Sequence, residues 1–266
     1  MNDRVSTAQL RRPLQAALPP WLVRFHVTPQ PALRLFCFPY AGGSASLFRN
    51  WGAMLDPRVE VIGVQLPGRG MRWEEALEVD FGLMANLVTD AIVRVAGSVR
   101  FGFFGHSMGA LLMFEVARRL RAQGARMPEC MFASGRPAPH LPLQRQRAPL
   151  TSDADFVDEL RRLEGTPREI LDNPELLAML MPMIRGDFAL LDNWCFEPSP
   201  ALDVPLFALA GRSDPHVSVD AVAAWAQWTR CNFELMTYSG GHFFVQEQAR
   251  RLVRDVSDRV VGLLCG

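Results

Sequence analysis

The chain has 266 residues, with 28 Lys and Arg balanced by 28 Asp and Glu, so its formal net charge at pH 7 is zero. This length can bury one large core, and we expect a single domain over residues 1–266. The balanced charge gives no support to a nucleic-acid partner or to binding at an anionic membrane surface.

Cysteine usage and the N-terminal segment indicate the compartment. The five cysteines are odd in number and show no C-x-x-C spacing, which favours reduced thiols over a disulfide framework. Residues 1–25 hold no uninterrupted apolar run of the signal-peptide kind, and no stretch of about 18 apolar residues occurs. We therefore expect a soluble, cytoplasmic protein with no membrane partner. Residues 1–20 form an N-terminal extension to which no role is assigned.

Short apolar runs alternate with longer segments of helical period, a pattern typical of a parallel sheet with helices on both faces. Loops that could form a site follow the strands, because ligands of open parallel sheets lie beyond the carboxyl ends of the strands. The sequence therefore predicts an α/β fold. The predicted strands are Leu33–Phe38, Val59–Gln65, Val99–Phe104, Cys130–Ser134, Leu206–Ala210 and Phe233–Tyr238.

The first of these loops, PYAGGS at residues 39–44, is rich in glycine. Such a loop can be a plain tight turn, a phosphate cradle or a source of backbone N–H donors. The chain contains neither G-x-x-x-x-G-K-S/T nor G-x-G-x-x-G with a following acidic residue, which argues against phosphate binding.

The stretch FGHSMGA at residues 104–110 places Gly105 and Gly109 two positions on either side of Ser107. A buried-strand run precedes it, and Met108–Gln123 is predicted to be a helix. Strand, tight turn and helix form a nucleophile elbow, in which the serine takes a strained backbone conformation and larger flanking side chains would collide. We predict that Ser107 is a catalytic nucleophile.

Backbone N–H groups near Ser107 could stabilise negative charge on a substrate oxygen. One is that of Met108, which follows the nucleophile at the start of the helix. Pro39 has no N–H, so the second donor is predicted to be Ala41 in the PYAGGS loop, with Tyr40 as the alternative.

A serine hydroxyl needs a base, and the base needs an orienting acid. In the α/β-hydrolase order the acid and then the histidine follow successive later strands. Asp214 follows the Leu206–Ala210 strand in GRSD, and His242 follows the Phe233–Tyr238 strand in YSGGH. We therefore predict a catalytic triad of Ser107, Asp214 and His242.

The other histidines fit this order less well than His242. His216 is only two residues from the acid, and His106 sits inside the elbow with its side chain expected to point away from the serine. His26 and His140 have no matching late strand. The rival acids, interpreted as capping or solvated residues, are Asp203 and Asp220.

Residues 141–200 form an insertion that is too long for one crossover. The pattern predicts a helix over Ser152–Leu163, with Asp155 completing a capping-box-like start. A second helix is predicted over Pro174–Trp194, with Pro182 as an expected kink. Its apolar residues are expected mainly to pack on the core. Adaptable side chains that would suit a chamber for varied groups are those of Met179, Met181 and Met183.

Five segments of the chain together resemble the stand-alone type II thioesterases that accompany non-ribosomal peptide and polyketide synthetases. They are RLFCFPYAGGSASLFRNW, VEVIGVQLPGRGMRWEE, FGFFGHSMGALLMFEVARRL, FALAGRSDPHVS and YSGGHFFV. The resemblance runs from about Trp21 to the C-terminus. It implies an α/β-hydrolase fold with residues 141–200 as a helical lid, and hydrolysis of acyl and aminoacyl thioesters on the phosphopantetheine arm of carrier proteins.

The resemblance also implies that acyl or peptidyl carrier domains are transient partners. Pantetheine then belongs to the substrate, and we expect no cofactor and no metal. Many relatives have His where this chain has Tyr40 and an acidic residue where it has Gly70, so contacts of these two loops can differ. Basic residues that could meet an acidic carrier domain, or simply face solvent, are Arg69, Arg72, Arg118, Arg119 and Arg121.

Two alternatives stay open. One is a serine esterase or acyltransferase that uses the same triad on free small molecules and is indifferent to the carrier protein. The other is a non-catalytic module that keeps the fold and binds a synthetase. An intact set of Ser107, Asp214 and His242 argues against the second alternative.

Overall fold

A computed structural model of the chain describes residues 18–141, 152–163 and 171–265. Its centre is a seven-stranded sheet with the strand order β1-β3-β2-β4-β5-β6-β7. The strands are β1 (Leu22–Arg24), β2 (Leu33–Phe38), β3 (Val59–Val64), β4 (Arg100–His106), β5 (Met131–Ser134), β6 (Leu206–Gly211) and β7 (Phe233–Tyr238). The helices are α1 (Phe81–Ala96), α2 (Met108–Ala122), α3 (Asp153–Leu163), α4 (Pro174–Asn193), α5 (Val219–Ala223), α6 (Phe244–Glu247) and α7 (Ala249–Cys265).

Strands β2 to β7 run parallel, which confirms the predicted α/β fold class. All six predicted strands are present, and β2 and β7 have the predicted bounds. Strand β4 continues two residues further than expected, because Gly105 and His106 still pair with Ala133 and Ser134 of β5. The three-residue β1, which pairs antiparallel with β3, was missed because it is too short to show a period.

Apolar side chains alternate between the two faces of the sheet, as they must in an extended strand. Phe36 and Phe38 of β2 pack in one cluster with residues of α1 and α2. Leu35 and Cys37 of the same strand pack in a second cluster that includes residues of α7. Helices therefore cover both faces, and the sheet forms a rigid support for the loops at its carboxyl edge.

The insertion predicted over residues 141–200 is described in part, since residues 142–151 and 164–170 lie outside the described residues, as do residues 1–17 of the N-terminal extension. Helix α3 begins where predicted, with the hydroxyl of Ser152 accepting a hydrogen bond from the N–H of Asp155 at 3.2 Å. Helix α4 ends one residue before the predicted Trp194 and passes through Pro182. The kink expected at Pro182 stays a prediction.

Helix α4 contributes to two apolar clusters. Met183, Ile184 and Phe188 are buried with residues of α3 in a small third cluster. Leu190 and Leu191, closer to the end of the helix, are buried in the cluster of α1 and α2. Leu191 packs on the core as predicted, whereas Ile184 and Phe188 pack instead with α3. Helix α4 is thereby held between the sheet and α3.

Candidate active site

Ser107 is the single residue between strand β4 and helix α2. Its backbone has φ 53° and ψ −115°, and residues other than glycine rarely adopt such a positive φ. The N–H of Ser107 donates to the carbonyl oxygen of Ser134 at 2.8 Å, so the strained residue is tied to the neighbouring strand β5. This geometry lifts the serine hydroxyl out of the sheet edge at the start of α2.

The two glycines beside the elbow allow strand and helix to approach each other. A Cβ added to Gly105 would lie 2.3 Å from the carbonyl oxygen of Gly109. A Cβ added to Gly109 would lie 2.1 Å from the carbonyl oxygen of Phe38, at the end of β2. Both distances are far below van der Waals contact, so any larger residue would push α2 away from the sheet. The crowding expected from the G-x-S-x-G spacing is confirmed.

The structure brings Ser107, His242 and Asp214 into one hydrogen-bonded chain. Nε2 of His242 lies 3.1 Å from Oγ of Ser107, and Nδ1 of His242 lies 2.6 Å from Oδ2 of Asp214. Asp214 follows β6 and His242 follows β7, so residues separated by 135 and 28 positions meet at the carboxyl edge of the sheet. The histidine is placed to take a proton from the serine while the carboxylate orients its ring.

The carboxylate of Asp214 is held by its own loop. Oδ1 accepts hydrogen bonds from the backbone N–H groups of His216 at 2.9 Å and Val217 at 3.1 Å. The side chain is 1% exposed, and that of His242 is 8% exposed. One carboxylate oxygen is thus anchored to the loop and the other is directed at the histidine. His216 supports the acid through its backbone.

The rival acids lie elsewhere. Asp203 forms an exposed ion pair with Arg230, at 2.5 Å between Oδ2 and Nη2. Asp220 is an exposed residue in the first turn of α5. Both are surface residues, as interpreted from the sequence.

The predicted oxyanion donors lie in two segments, the start of α2 and the loop after β2. Met108 is the first residue of α2, where backbone N–H groups have no acceptor within the helix. In the loop after β2, the N–H of Gly42 donates to Oδ2 of Asp187 at 2.7 Å and the N–H of Gly43 donates to the carbonyl oxygen of Tyr40 at 2.9 Å. These two N–H groups are engaged within the protein, and the assignment of Ala41 as the second donor, with Tyr40 as the alternative, stays a prediction.

His106 is a buried neighbour of the site whose contacts the sequence did not predict. Its Nδ1 lies 2.9 Å from Oγ of Ser134, and its ring centre is 5.3 Å from that of His242. Burial holds the pKa of His106 well below its usual range, and the nearby His242 lowers it further. His106 is therefore a neutral packing partner of the His242 ring.

Tyr40 joins the loop after β2 to the segment that follows His242. Its hydroxyl accepts a hydrogen bond from the side-chain amide of Gln246, and its ring packs edge-on against Phe243 at 4.9 Å between centres. Burial raises the pKa of Tyr40 to about 12, so the hydroxyl is neutral. At this position, where many relatives are expected to have His, a neutral aromatic side chain connects the loop after β2 to the segment after His242.

Two of the arginines that were expected at the surface, to meet a carrier domain or to face solvent, are buried, so for them that expectation is wrong. Arg69 and Arg72 are 4% and 6% exposed. Arg69 forms a bidentate ion pair with Asp187, and Arg72 lies 3.9 Å over the ring of Trp21. The residues between β3 and α1 fold back on the molecule, so their cations turn inward to carboxylates and carbonyl groups. The sequence around Arg69 and Arg72 gave no local sign of this burial.

The other three arginines lie along α2 and have partners within the chain. Arg118 and Arg119 each bond to Glu115, at 2.7 Å and 2.6 Å. Arg121 donates to the carbonyl oxygens of Pro200 and Ala201. These contacts fix the arginine stems but leave the side chains partly accessible.

Within residues 18–141, 152–163 and 171–265, no group of three or more His, Cys, Asp or Glu side chains could hold a metal ion. A search of the same residues finds no helix that is both long and apolar enough to cross a membrane.

Comparison with known proteins places the chain in a family. The model of the Thioesterase domain family matches residues 33–260. Thioesterase PikA5 of Streptomyces venezuelae is 39% identical over 250 residues, which cover 94% of this chain and 89% of the relative.

Two solved structures are similar along most of their length. The RedJ thioesterase from the prodiginine biosynthetic pathway of Streptomyces coelicolor is 36% identical, with a TM-score of 0.80 over 86% of this chain and 85% of that chain. The type II thioesterase BorB from the borrelidin biosynthetic cluster is 34% identical, with a TM-score of 0.78 over 90% of this chain and 95% of that chain. The chain therefore belongs to the Thioesterase domain family and is a hydrolase, which confirms its resemblance to the type II thioesterases.

Proposed function

We propose that the protein hydrolyses acyl and aminoacyl thioesters on the phosphopantetheine arm of carrier domains, and so removes wrong or stalled groups from a synthetase. The observation that carries this proposal is the chain of hydrogen bonds from Asp214 through His242 to Ser107. Membership of the Thioesterase domain family supports a thioester as the bond that is cleaved. RedJ and BorB belong to biosynthetic pathways, which supports a biosynthetic intermediate as the substrate.

In the first half of the reaction the acyl group moves to the enzyme. Oγ of Ser107 attacks the thioester carbonyl carbon while its proton passes to Nε2 of His242. The carbonyl oxygen becomes an oxyanion that accepts hydrogen bonds from the N–H groups of Met108 and Ala41. When the tetrahedral intermediate collapses, the C–S bond breaks and the pantetheine thiol leaves with the proton from His242.

In the second half, water releases the acid. His242 takes one proton from the water as its oxygen attacks the ester carbon of acyl-Ser107, again with charge developing at the same two N–H groups. Collapse breaks the bond to Oγ, which regains its proton from His242. The reaction as proposed uses no metal or organic cofactor, since pantetheine arrives with the substrate.

Asp214 acts through His242 alone. Its carboxylate holds the Nδ1–H tautomer and stabilises the imidazolium that forms in each half-reaction. A carrier domain is the proposed transient partner, and the cytoplasm is the proposed compartment. The free cysteine side chains of Cys37, Cys130 and Cys195 accord with a reducing compartment.

The test is acid release from an acyl carrier protein loaded on its phosphopantetheine arm. The matching free pantetheine-type thioester and the matching oxygen ester are assayed beside it, with Ser107→Ala as the control. Faster hydrolysis on the carrier, lost in the variant, is the expected result. Equal or greater activity on free esters would identify a general esterase or acyltransferase instead. Binding of the loaded carrier without any acid release would identify a non-catalytic module.

A further inference from the structure

A buried ion pair joins the helical insertion to the segment that follows β3. Asp187 lies on helix α4, and Arg69 lies in the segment after β3. Their side chains are 2% and 4% exposed, and both pairs of oxygen and nitrogen atoms lie 2.6 Å apart. Such a bidentate pair is strongly directional, so it fixes α4 relative to the segment after β3.

The pair also binds the backbone of the loop after β2. Oδ2 of Asp187 accepts the N–H of Gly42 at 2.7 Å, and Nη1 of Arg69 donates to the carbonyl oxygen of Gly43 at 2.9 Å. Gly42 has a φ of +78° and directly follows Ala41. Asp187 therefore fixes the peptide plane next to the N–H proposed to stabilise the oxyanion.

Helix α4 packs directly on the same loop. A Cβ added to Gly42 would lie 3.3 Å from Cγ1 of Ile184, one turn before Asp187. Ala41 itself packs against both the small cluster of α3 and α4 and the cluster of α1 and α2. The loop is thus held from above by the insertion as well as from below by the sheet.

A second polar link prevents the loop from adjusting independently. The side chain of Gln65 accepts the N–H of Ala45 at 3.0 Å and donates to the carbonyl oxygen of Arg69 at 2.8 Å. If α4 moved away, Arg69 and the N–H of Gly42 would each lose a buried partner, which is strongly unfavourable. The position of α4 and the conformation of the loop are therefore coupled.

We infer that Asp187 is a positioning residue for the oxyanion hole, so that the N–H of Ala41 is correctly placed only while helix α4 is seated on the loop. Asp187 acts through Gly42 and Arg69 and does not touch the substrate. This inference rests on the proposed function, because it assigns a role within the same reaction.

The first test compares Asp187 with Asp153, because each carboxylate forms an ion pair that involves helix α4. Asp187→Asn keeps the side-chain shape and removes the charge. Asp153→Asn is the matched control, since Asp153 is exposed and pairs with Arg185 of the same helix at 2.7 Å. For Asp187→Asn we expect kcat on a free thioester to fall about 10- to 100-fold with KM changed less than about threefold. The control is expected to stay within about twofold of the wild-type kcat.

A boronic acid that forms a tetrahedral adduct with Oγ of Ser107 separates positioning from folding. Its affinity is expected to weaken in Asp187→Asn by about the same factor as kcat, whereas binding of the product acid stays within about threefold. A purely structural role would weaken both ligands alike. A kcat for Asp187→Asn within about twofold of wild type would overturn the inference.

The double variant Arg69→Met with Asp187→Leu removes the pair without leaving a buried charge. We expect its thermal midpoint to exceed that of Asp187→Leu alone while kcat stays low, because the N–H of Gly42 still lacks its acceptor. Recovery of wild-type kcat, or failure of both this variant and Asp187→Asn to fold, would overturn the inference. A wild-type protein without thioesterase activity would instead contradict the proposed function.

Discussion

The elbow at the sheet edge and the helical insertion above it are built in different ways. At the elbow, backbone meets backbone, since Gly105 and Gly109 leave no room for a side chain between β2, β4 and α2. In the insertion, α3 and α4 pack through a small cluster of side chains and through exposed ion pairs such as that between Asp153 and Arg185. The buried pair of Arg69 and Asp187 links the two regions.

This difference shows which changes each region should tolerate. The position of Ser107 depends on backbone contacts, so adding a single methyl group at either glycine should disturb it. The packing of the insertion depends on buried side-chain volume. A substitution that creates a cavity there should therefore destabilise the protein more when the replaced side chain is more buried. The loop of Ala41 contacts both regions, so a substitution in either region should change its conformation.

The largest effect is expected at the acid of the triad. Asp214→Asn should lower kcat about 10³- to 10⁴-fold, because the amide stabilises the wrong histidine tautomer and no longer balances the imidazolium. Steady-state hydrolysis of a free thioester measures this effect. Asp220→Asn is the matched control, since this rival acid is exposed on α5, and its kcat should stay within about twofold of wild type. Equal losses in the two variants would refute the assignment of Asp214.

The next effect concerns the backbone contacts of the elbow. Gly109→Ala should lower the free energy of unfolding by about 3 kcal/mol, because its Cβ would lie 2.1 Å from the carbonyl oxygen of Phe38. Gly262→Ala is the control, since no atom lies within 4 Å of an added Cβ and α7 should gain up to about 1 kcal/mol. Urea unfolding measures both values. Wild-type stability in Gly109→Ala would show that the contact is not rigid.

A smaller effect is expected for cavities in the insertion. Met183→Ala should destabilise the protein by about 2 kcal/mol, because Met183 is buried in the cluster of α3 and α4. Met179 is 51% exposed on the same helix, and Met179→Ala should change stability by less than about 0.5 kcal/mol. Thermal unfolding of the two variants gives the comparison. Similar losses would mean that burial does not govern this region.

The smallest effect is a pH dependence of stability at His106. Burial lowers the pKa of its folded form below the unfolded value of about 6.5, so the unfolded state binds more protons as the pH falls. The contribution of the neutral ring is therefore complete above about pH 6.5. It is lost as the pH falls below that value, by at most about 1.4 kcal/mol per pH unit.

Urea unfolding over a pH range of about two units around the unfolded pKa of His tests this effect. His106→Gln should show a shallower loss of stability with falling pH than wild type does. His26→Gln, at an exposed position, is the matched control. Parallel curves for wild type and His106→Gln would contradict the assignment.

The sequence predicted the triad because each member follows a parallel strand by no more than a short loop, and the carboxyl ends of such strands meet at one edge. The elbow was recognisable because its glycine spacing answers a steric requirement that is local in the chain. Ser107, Asp214 and His242 could therefore be assigned from order alone, and the structure brings them within hydrogen-bond distance.

The pair of Arg69 and Asp187 could not be predicted in this way. The two residues are 118 positions apart, and neither belongs to a periodic pattern that would specify its partner. The bond between Tyr40 and Gln246 spans 206 positions and leaves no local signal for the same reason. Contacts of this kind depend on how the loops and α4 pack on the sheet, and this tertiary packing leaves no pattern in the local sequence.

The most direct test of the account is mass spectrometry of a rapidly quenched reaction between the wild-type enzyme and a loaded carrier protein. The account predicts that the peptide containing Ser107 carries the acyl group, and that Ser107→Ala carries none and releases acid only at the background rate. Undiminished acid release by Ser107→Ala, or an acyl group on another residue of the wild type, would contradict it.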